Sequence, residues 1–142
     1  MVQMGDVTKL GDSVVLAYPF YQTKRINRTM TDASGDVAYT GIGFTPRMIH
    51  FSGVLSSASS LNDRRSIGAT SVVGAAQNDQ TIVATENNIY VATGQSCIRS
   101  HEGSSIGQSA FVLTFDTDGF TLNWLKQGSP TGNLAVMCMI FG

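Results

Sequence analysis

Phe111-Val112-Leu113-Thr114-Phe115-Asp116-Thr117-Asp118-Gly119-Phe120-Thr121-Leu122-Asn123-Trp124 is the stretch that decides the fold. On both sides of its centre a large apolar residue recurs at every second position: Phe111, Leu113 and Phe115, then Phe120, Leu122 and Trp124. A period of two marks a strand with one buried face. Asp118-Gly119 supplies residue types that tolerate positive φ in a tight turn whose twist matches the strands it joins. The stretch therefore predicts a β-hairpin with six large apolar side chains on one sheet face. At about 1.5–3 kcal/mol for each fully buried side chain, it contributes on the order of 10 kcal/mol before chain entropy is subtracted. It is expected to form the centre of the core.

The closing stretch, residues 134–141, has the same period with a different filling. Leu134, Val136, Cys138 and Ile140 face one way, and Ala135, Met137, Met139 and Phe141 face the other. Both faces are apolar. Such a strand is either central in a sheet with something covering each side, or it lies at a contact with another subunit. Further strands are predicted at residues 36–40, 47–54, 66–74, 80–84 and 89–93, separated by Gly, Asn, Asp and Ser clusters that form turns. No window carries helical periodicity. Short strands at this spacing, without crossover helices, predict an all-β fold, an antiparallel β-sandwich of jelly-roll-like kind, over residues 36–142.

Residues 1–35 read differently. They hold a possible strand at 13–18, then Pro19, the aromatics Tyr18, Phe20 and Tyr21, and the basic cluster Lys24, Arg25 and Arg28. Little here makes an independent core. The segment is expected to be an N-terminal arm or first hairpin, packed on the sandwich or on a neighbouring subunit, with the aromatics as anchors. An ordinary edge strand and loop is the plainer alternative.

Composition agrees and narrows the function. The chain has 142 residues, the size of one domain. It carries 15 Gly, and Ser and Thr number 15 and 14, which is β-rich usage, while only 13% of residues are charged. With nine Lys plus Arg and a net charge of −1, it lacks the clustered cations that counterion release requires, so no nucleic-acid partner is expected. No apolar run nears the roughly 20 residues needed to cross a bilayer, and the first ten residues lack a basic-then-apolar leader. No membrane partner is expected either.

The residues available for catalysis are sparse. There are two histidines, His50 and His101, two glutamates, Glu86 and Glu102, and two cysteines, Cys97 and Cys138. Cys97, His101 and Glu102 are close in sequence, but one Cys and one His do not make a four-ligand zinc site. A thiol nucleophile needs a His partner that no spacing here predicts. Both cysteines are expected to be reduced and buried, and His50, between Ile49 and Phe51, to be a hydrogen-bonded, partly buried imidazole. Gly41-Ile42-Gly43-Phe44 is followed by a strand where a phosphate loop needs a helix, so it reads as a sharp bend. Arg64 and Arg65 stand on a long polar loop, residues 56–65, either solvated or paired with a carboxylate on another subunit. Trp124 alternates with core positions and reads as core, although an aromatic near polar loops is also what a sugar site uses. No enzyme activity, cofactor or metal is expected.

Two stretches resemble a module of tailed-bacteriophage virion proteins: Gly41-Ile42-Gly43-Phe44-Thr45-Pro46-Arg47, and Asp118-Gly119-Phe120-Thr121-Leu122-Asn123-Trp124 followed by Gly128-Ser129-Pro130-Thr131-Gly132. The closing Phe141-Gly142 is similar as well, so the resemblance spans about residues 36–142. These modules resemble the small β-sandwich of H-type lectins, and they occur on heads, tails and fibres. The resemblance implies a virion protein assembled in the host cytoplasm. A capsid decoration (cement) protein is the expected role, a homo-oligomer (dimer or trimer) bound to major capsid protein through Tyr18, Phe20, Tyr21, Lys24, Arg25, Arg28, Arg64, Arg65, Met137, Met139 and Phe141. The alternative is a tail or fibre module that binds a surface glycan through residues 56–65 and 96–105. The absence of stalk, collagen-like and heptad repeats weighs against a fibre.

Overall fold

The computed structural model describes residues 7–10, 13–16, 20–56, 64–73, 76–84, 89–93, 96–103 and 105–142. Twelve strands follow one another among them: β1 (Val7–Leu10), β2 (Ser13–Leu16), β3 (Tyr21–Thr29), β4 (Gly35–Thr40), β5 (Met48–Ser56), β6 (Arg64–Val73), β7 (Ala76–Ala84), β8 (Ile89–Thr93), β9 (Ile98–Gly103), β10 (Ile106–Asp116), β11 (Gly119–Gln127) and β12 (Asn133–Phe141). No helix among the described residues is long and apolar enough to cross a membrane.

The all-β expectation holds, and the strands form two packed antiparallel sheets. The larger has the order β3-β12-β5-β6-β7-β8, the smaller β4-β11-β10-β9, and β1 pairs with β2 as a separate hairpin. Consecutive strands stay in one sheet, β5 to β8 in the larger and β9 to β11 in the smaller. A jelly roll would alternate them between sheets, so the winding is that of two meanders. Within 1–35, Tyr21–Thr29 is an edge strand of the larger sheet, paired with β12 along its whole length.

The deciding hairpin forms with one change of phase. Its turn is Thr117-Asp118, flanked by the pair Asp116 and Gly119. Ala110 lies opposite Trp124 and Val112 opposite Leu122, but the next pair is Thr114 with Thr121, so Leu113 is an extra residue. A bulge of one residue flips the inward set. Ala110 and Val112 point into the core before it and Phe115, opposite Phe120, after it, while Phe111 is half-buried and Leu113 exposed on the outer side. The predicted common face of Phe111, Leu113 and Phe115 is corrected accordingly. Only Phe115 of the three packs on the core cluster.

β12 sits between β3 and β5, and Leu134, Val136, Cys138 and Ile140 are buried against Trp124, Phe120, Phe51 and Ile26. Phe51 meets Phe120 edge-on across the sheets at 6.1 Å between ring centres. The other face of β12 is open to solvent: Met137 is 49% exposed, and Met139 and Phe141 are also exposed. The strand is central by pairing yet covered on one side alone.

Two other expectations change. Arg64 and Arg65 are not on a loop: they begin β6, in register with Leu55 and Val54. Likewise residues 98–103 of the expected 96–105 loop are strand β9, paired with β10. In both cases the polar sequence concealed a strand whose partners are supplied by neighbours. Residues 17–18 of the strand expected at 13–18, Tyr18 included, and residues 57–63 of the loop expected at 56–65 lie outside the described residues.

Candidate functional site

The residues first considered for chemistry are dispersed and committed to structure. Cys97 and Cys138 are free, buried thiols. The Cys97 thiol donates to the Ala110 carbonyl at 3.4 Å, and burial pushes the Cys138 thiol up to about 12, Lys24 opposing weakly. A thiol so shifted carries no thiolate near neutral pH. Both Glu102 oxygens are taken by the backbone N–H and hydroxyl of Thr131, each at 3.0 Å. Arg99 Nε donates to His101 Nε2. His50 is half-buried, as expected, and its Nδ1 has no hydrogen-bond partner among the described residues. Trp124 is fully buried, its Nε1–H donating to the Tyr39 hydroxyl at 3.3 Å. Tyr39 itself stacks on Phe120, and its phenol is raised chiefly by burial.

One expected contact residue moves inside. Arg28, on β3, is 8% exposed. Its Nε donates to Gln108 Oε1 at 3.0 Å and its Nη2 to the Ala33 carbonyl. The guanidinium lies 5.0 Å from the centre of the Trp124 ring, within cation–π range. The Gln108 amide nitrogen in turn donates to the carbonyls of Met30 (2.7 Å) and Asp32 (3.0 Å). This pair of side chains ties β3 of the larger sheet to β10 of the smaller and holds the corner between β3 and β4. Arg28 is therefore withdrawn from the contact surface, because a buried guanidinium stays paired within its own fold.

The bend at residues 41–43 has a definite chemistry. Gly41 and Gly43 adopt φ of 80° and 85°, and their N–H groups point at one carboxylate: Gly41 N donates to Asp118 Oδ2 at 3.0 Å and Gly43 N to Oδ1 at 2.6 Å. Successive N–H groups in such a turn make an anion-binding nest. Here the chain's own Asp118, in the β10–β11 turn, fills it. These bonds, Gly43 first and Gly41 next, hold the Asp118 carboxyl below its ordinary 3.8. A lowered folded-state value means stability that is present above 3.8 and lost as pH falls through the shifted value. Urea unfolding at pH 7 and at about pH 3 should show the wild type losing more of its midpoint on acidification than Asp118→Asn.

The outer face of the larger sheet is the site that remains. Register places Tyr21, Phe141, Met48 and Ser71 in one row, Thr23, Met139, His50 and Ala69 in the next, then Arg25, Met137, Ser52 and Ile67, and lastly Asn27, Ala135, Val54 and Arg65. Tyr21 is 52% and Ile67 49% exposed, and Met48 and Val54 are exposed too. Tyr21 and Phe141 rings touch at 5.3 Å between centres. Exposed apolar residues singly are ordinary, whereas a patch across four strands is a candidate contact surface. Of the residues expected to make contacts, Tyr21, Arg25, Met137, Met139 and Phe141 meet here, and Arg65 stands beside Val54 in the register. Phe20 lies at the margin against Phe44, and Lys24 reaches the Thr40 carbonyl at 2.7 Å. Met48, Val54 and Ile67 were not foreseen; in sequence they stand among His50, Ser52 and Ala69, and only register unites them with β12.

The smaller sheet presents a different outer face. Its polar groups are paired with one another, Asn123 with Asp36 and Thr121 with Asp116, and its exposed Leu113 and Leu125 stand among them.

No protein family matches the chain, and no curated protein matches it. Among solved structures it is similar to the tailspike protein of Acinetobacter phage vB_ApiP_P1, with 9% identity and a TM-score of 0.42, over 99% of this chain and 24% of that one. The chain thus spans about a quarter of the length of that protein.

Proposed function

We propose that the protein is a non-enzymatic structural protein of a bacteriophage particle, a capsid decoration protein that self-associates and stabilises the head by binding major capsid protein. The observation that carries this reading is the open apolar face of β3, β12, β5 and β6, because burying a face of that kind against another protein gains free energy. The segments that resemble tailed-phage modules also join physically. Asp118 grips Gly41 and Gly43, and the Arg47 N–H donates to the Phe141 carbonyl at 2.7 Å, so the stretch 41–47, the Asp118 turn and the closing Phe141 meet at one end of the sandwich, while residues 128–132 lie at the other end of β11. Of the basic cluster, Arg25 stays available at the rim of the face to orient a partner.

The test is location. Gold-labelled antibody against the protein should decorate the heads of purified particles in many copies. A handful of labels at the tail end would instead favour the glycan-binding tail module, and unlabelled particles would remove the virion reading altogether.

A further inference from the structure

We infer that Asp118-Gly119 is a site of spontaneous isoaspartate formation, and that the N–H groups of residues 41–43 hold the folded protein back from it; the inference is independent of what covers the outer face of the larger sheet. The reaction needs only this chain and water. The Gly119 amide nitrogen attacks the side-chain carboxyl carbon of Asp118; a nitrogen–carbon bond forms, and the carboxyl OH leaves with the amide proton as water. Water then adds to the main-chain carbonyl carbon of the five-membered imide, the bond from that carbon to the Gly119 nitrogen breaks, and the chain runs on through Cβ with the former main-chain carbonyl as a free carboxylate. Nothing is oxidised or reduced. Glycine obstructs the attack least, having no Cβ beside its nitrogen. Asp-Gly occurs once in the 142 residues, and Asn-Gly, its amide counterpart, does not occur. Asp118 is exposed in its two-residue turn, where water reaches it.

Three successive N–H groups oppose the reaction. Those of Gly41 and Gly43 hold one carboxylate oxygen each, and that of Ile42 donates to the Asp118 main-chain carbonyl at 3.2 Å. The side chain must give up two hydrogen bonds before its carboxyl carbon can turn to the Gly119 nitrogen, and the held main-chain carbonyl restrains the peptide from rotating to meet it. The same donors keep the carboxyl ionised, and the anion is the unreactive form because its oxygen is a poor leaving group. After isomerisation the carboxylate sits one carbon nearer the main chain and the backbone is one carbon longer, so the nest is not refilled in its present geometry. The Asp118 turn is a one-way record of the opening of this end of the sandwich.

Incubating the full chain at mildly acidic pH and body temperature, folded in buffer and unfolded in urea, tests this, with the isoaspartyl peptide quantified by chromatography and electron-transfer fragmentation. The unfolded wild type should form it at least about 10-fold faster than the folded wild type, as the loss of three hydrogen bonds implies. Gly43→Ala places its methyl in open space and suffers only the left-handed φ of 85°. It loosens the clamp without a clash and should speed the reaction in buffer about 5–30-fold. Gly35→Ala is the control: its methyl is equally free and its φ is 145°, but it lies at the far end of β4, opposite Trp124, and leaves the rate unchanged. If Gly43→Ala does not fold, the two wild-type rates decide alone. A folded wild type that isomerises as fast as the unfolded chain, an unfolded chain that forms no isoaspartate at 118, or a folded Gly35→Ala protein that reacts as fast as Gly43→Ala overturns the inference.

Discussion

Replacing Gln108 by leucine lowers the stability of the sandwich by about 2–4 kcal/mol, the range expected when buried hydrogen-bonding groups, one of them on a cation, are left unsatisfied. The side chain is of similar size, so little of the loss is cavity. What is lost is the acceptor of the Arg28 Nε–H and the donor to the carbonyls of Met30 and Asp32. A guanidinium that is 8% exposed cannot recover that bond from water. The ion pair with Asp32, at 3.5 Å, compensates little, since the Asp32 side chain is 49% exposed. Arg28→Met/Gln108→Leu should cost clearly less than the two single changes added together, because the second substitution removes the Nε–H that the first leaves without an acceptor. Urea midpoints of the four proteins measure this directly; additive losses would show that the two side chains do not act as a pair.

Gly119→Ala is the second large effect, at about 2–5 kcal/mol. Gly119 holds φ at 155°, and a Cβ there would run into the Tyr39 backbone carbonyl on the neighbouring strand β4. Backbone cannot swing aside as a flexible side chain can, so either the β4–β11 register opens or the turn distorts. The turn also carries Asp118, so the nest over Gly41 and Gly43 loosens with it. Gly53→Ala is the matched control. Its new methyl would sit 3.4 Å from Leu134 and Val136, near-ordinary contact, and its midpoint should fall by well under half as much. Equal losses at the two glycines would contradict the account of the turn.

These two residues also mark what could be seen in the sequence beforehand. The strands of the hairpin and of β12 were legible because hydrophobic alternation is local, and Gly119 because a turn residue announces itself. The bulge at Leu113 was not legible, since the extra residue is fixed by pairing with Thr121 and Leu122 and not by anything in residues 111–115. β3 escaped for a related reason. Of its inward positions, Ile26 alone is apolar, and Arg28 points inward because Gln108, eighty positions away, receives it. β9 was hidden likewise: Ser100 is buried on it where an apolar residue would have signalled a strand. The contact face was half visible. Met137, Met139 and Phe141 declare it in one strand, but Met48, Val54 and Ile67 join it through the order β12-β5-β6, which no stretch of sequence states.

The division of labour between the two outer faces is the centre of this account, and a cryo-EM reconstruction of the assembled particle tests it most directly. The account predicts that the outer face of β3, β12, β5 and β6 lies buried against another protein subunit while the Asn123 and Asp36 side of the smaller sheet faces solvent. A particle in which Met137 and Met139 look out into water, with the smaller sheet carrying the contacts, would contradict it.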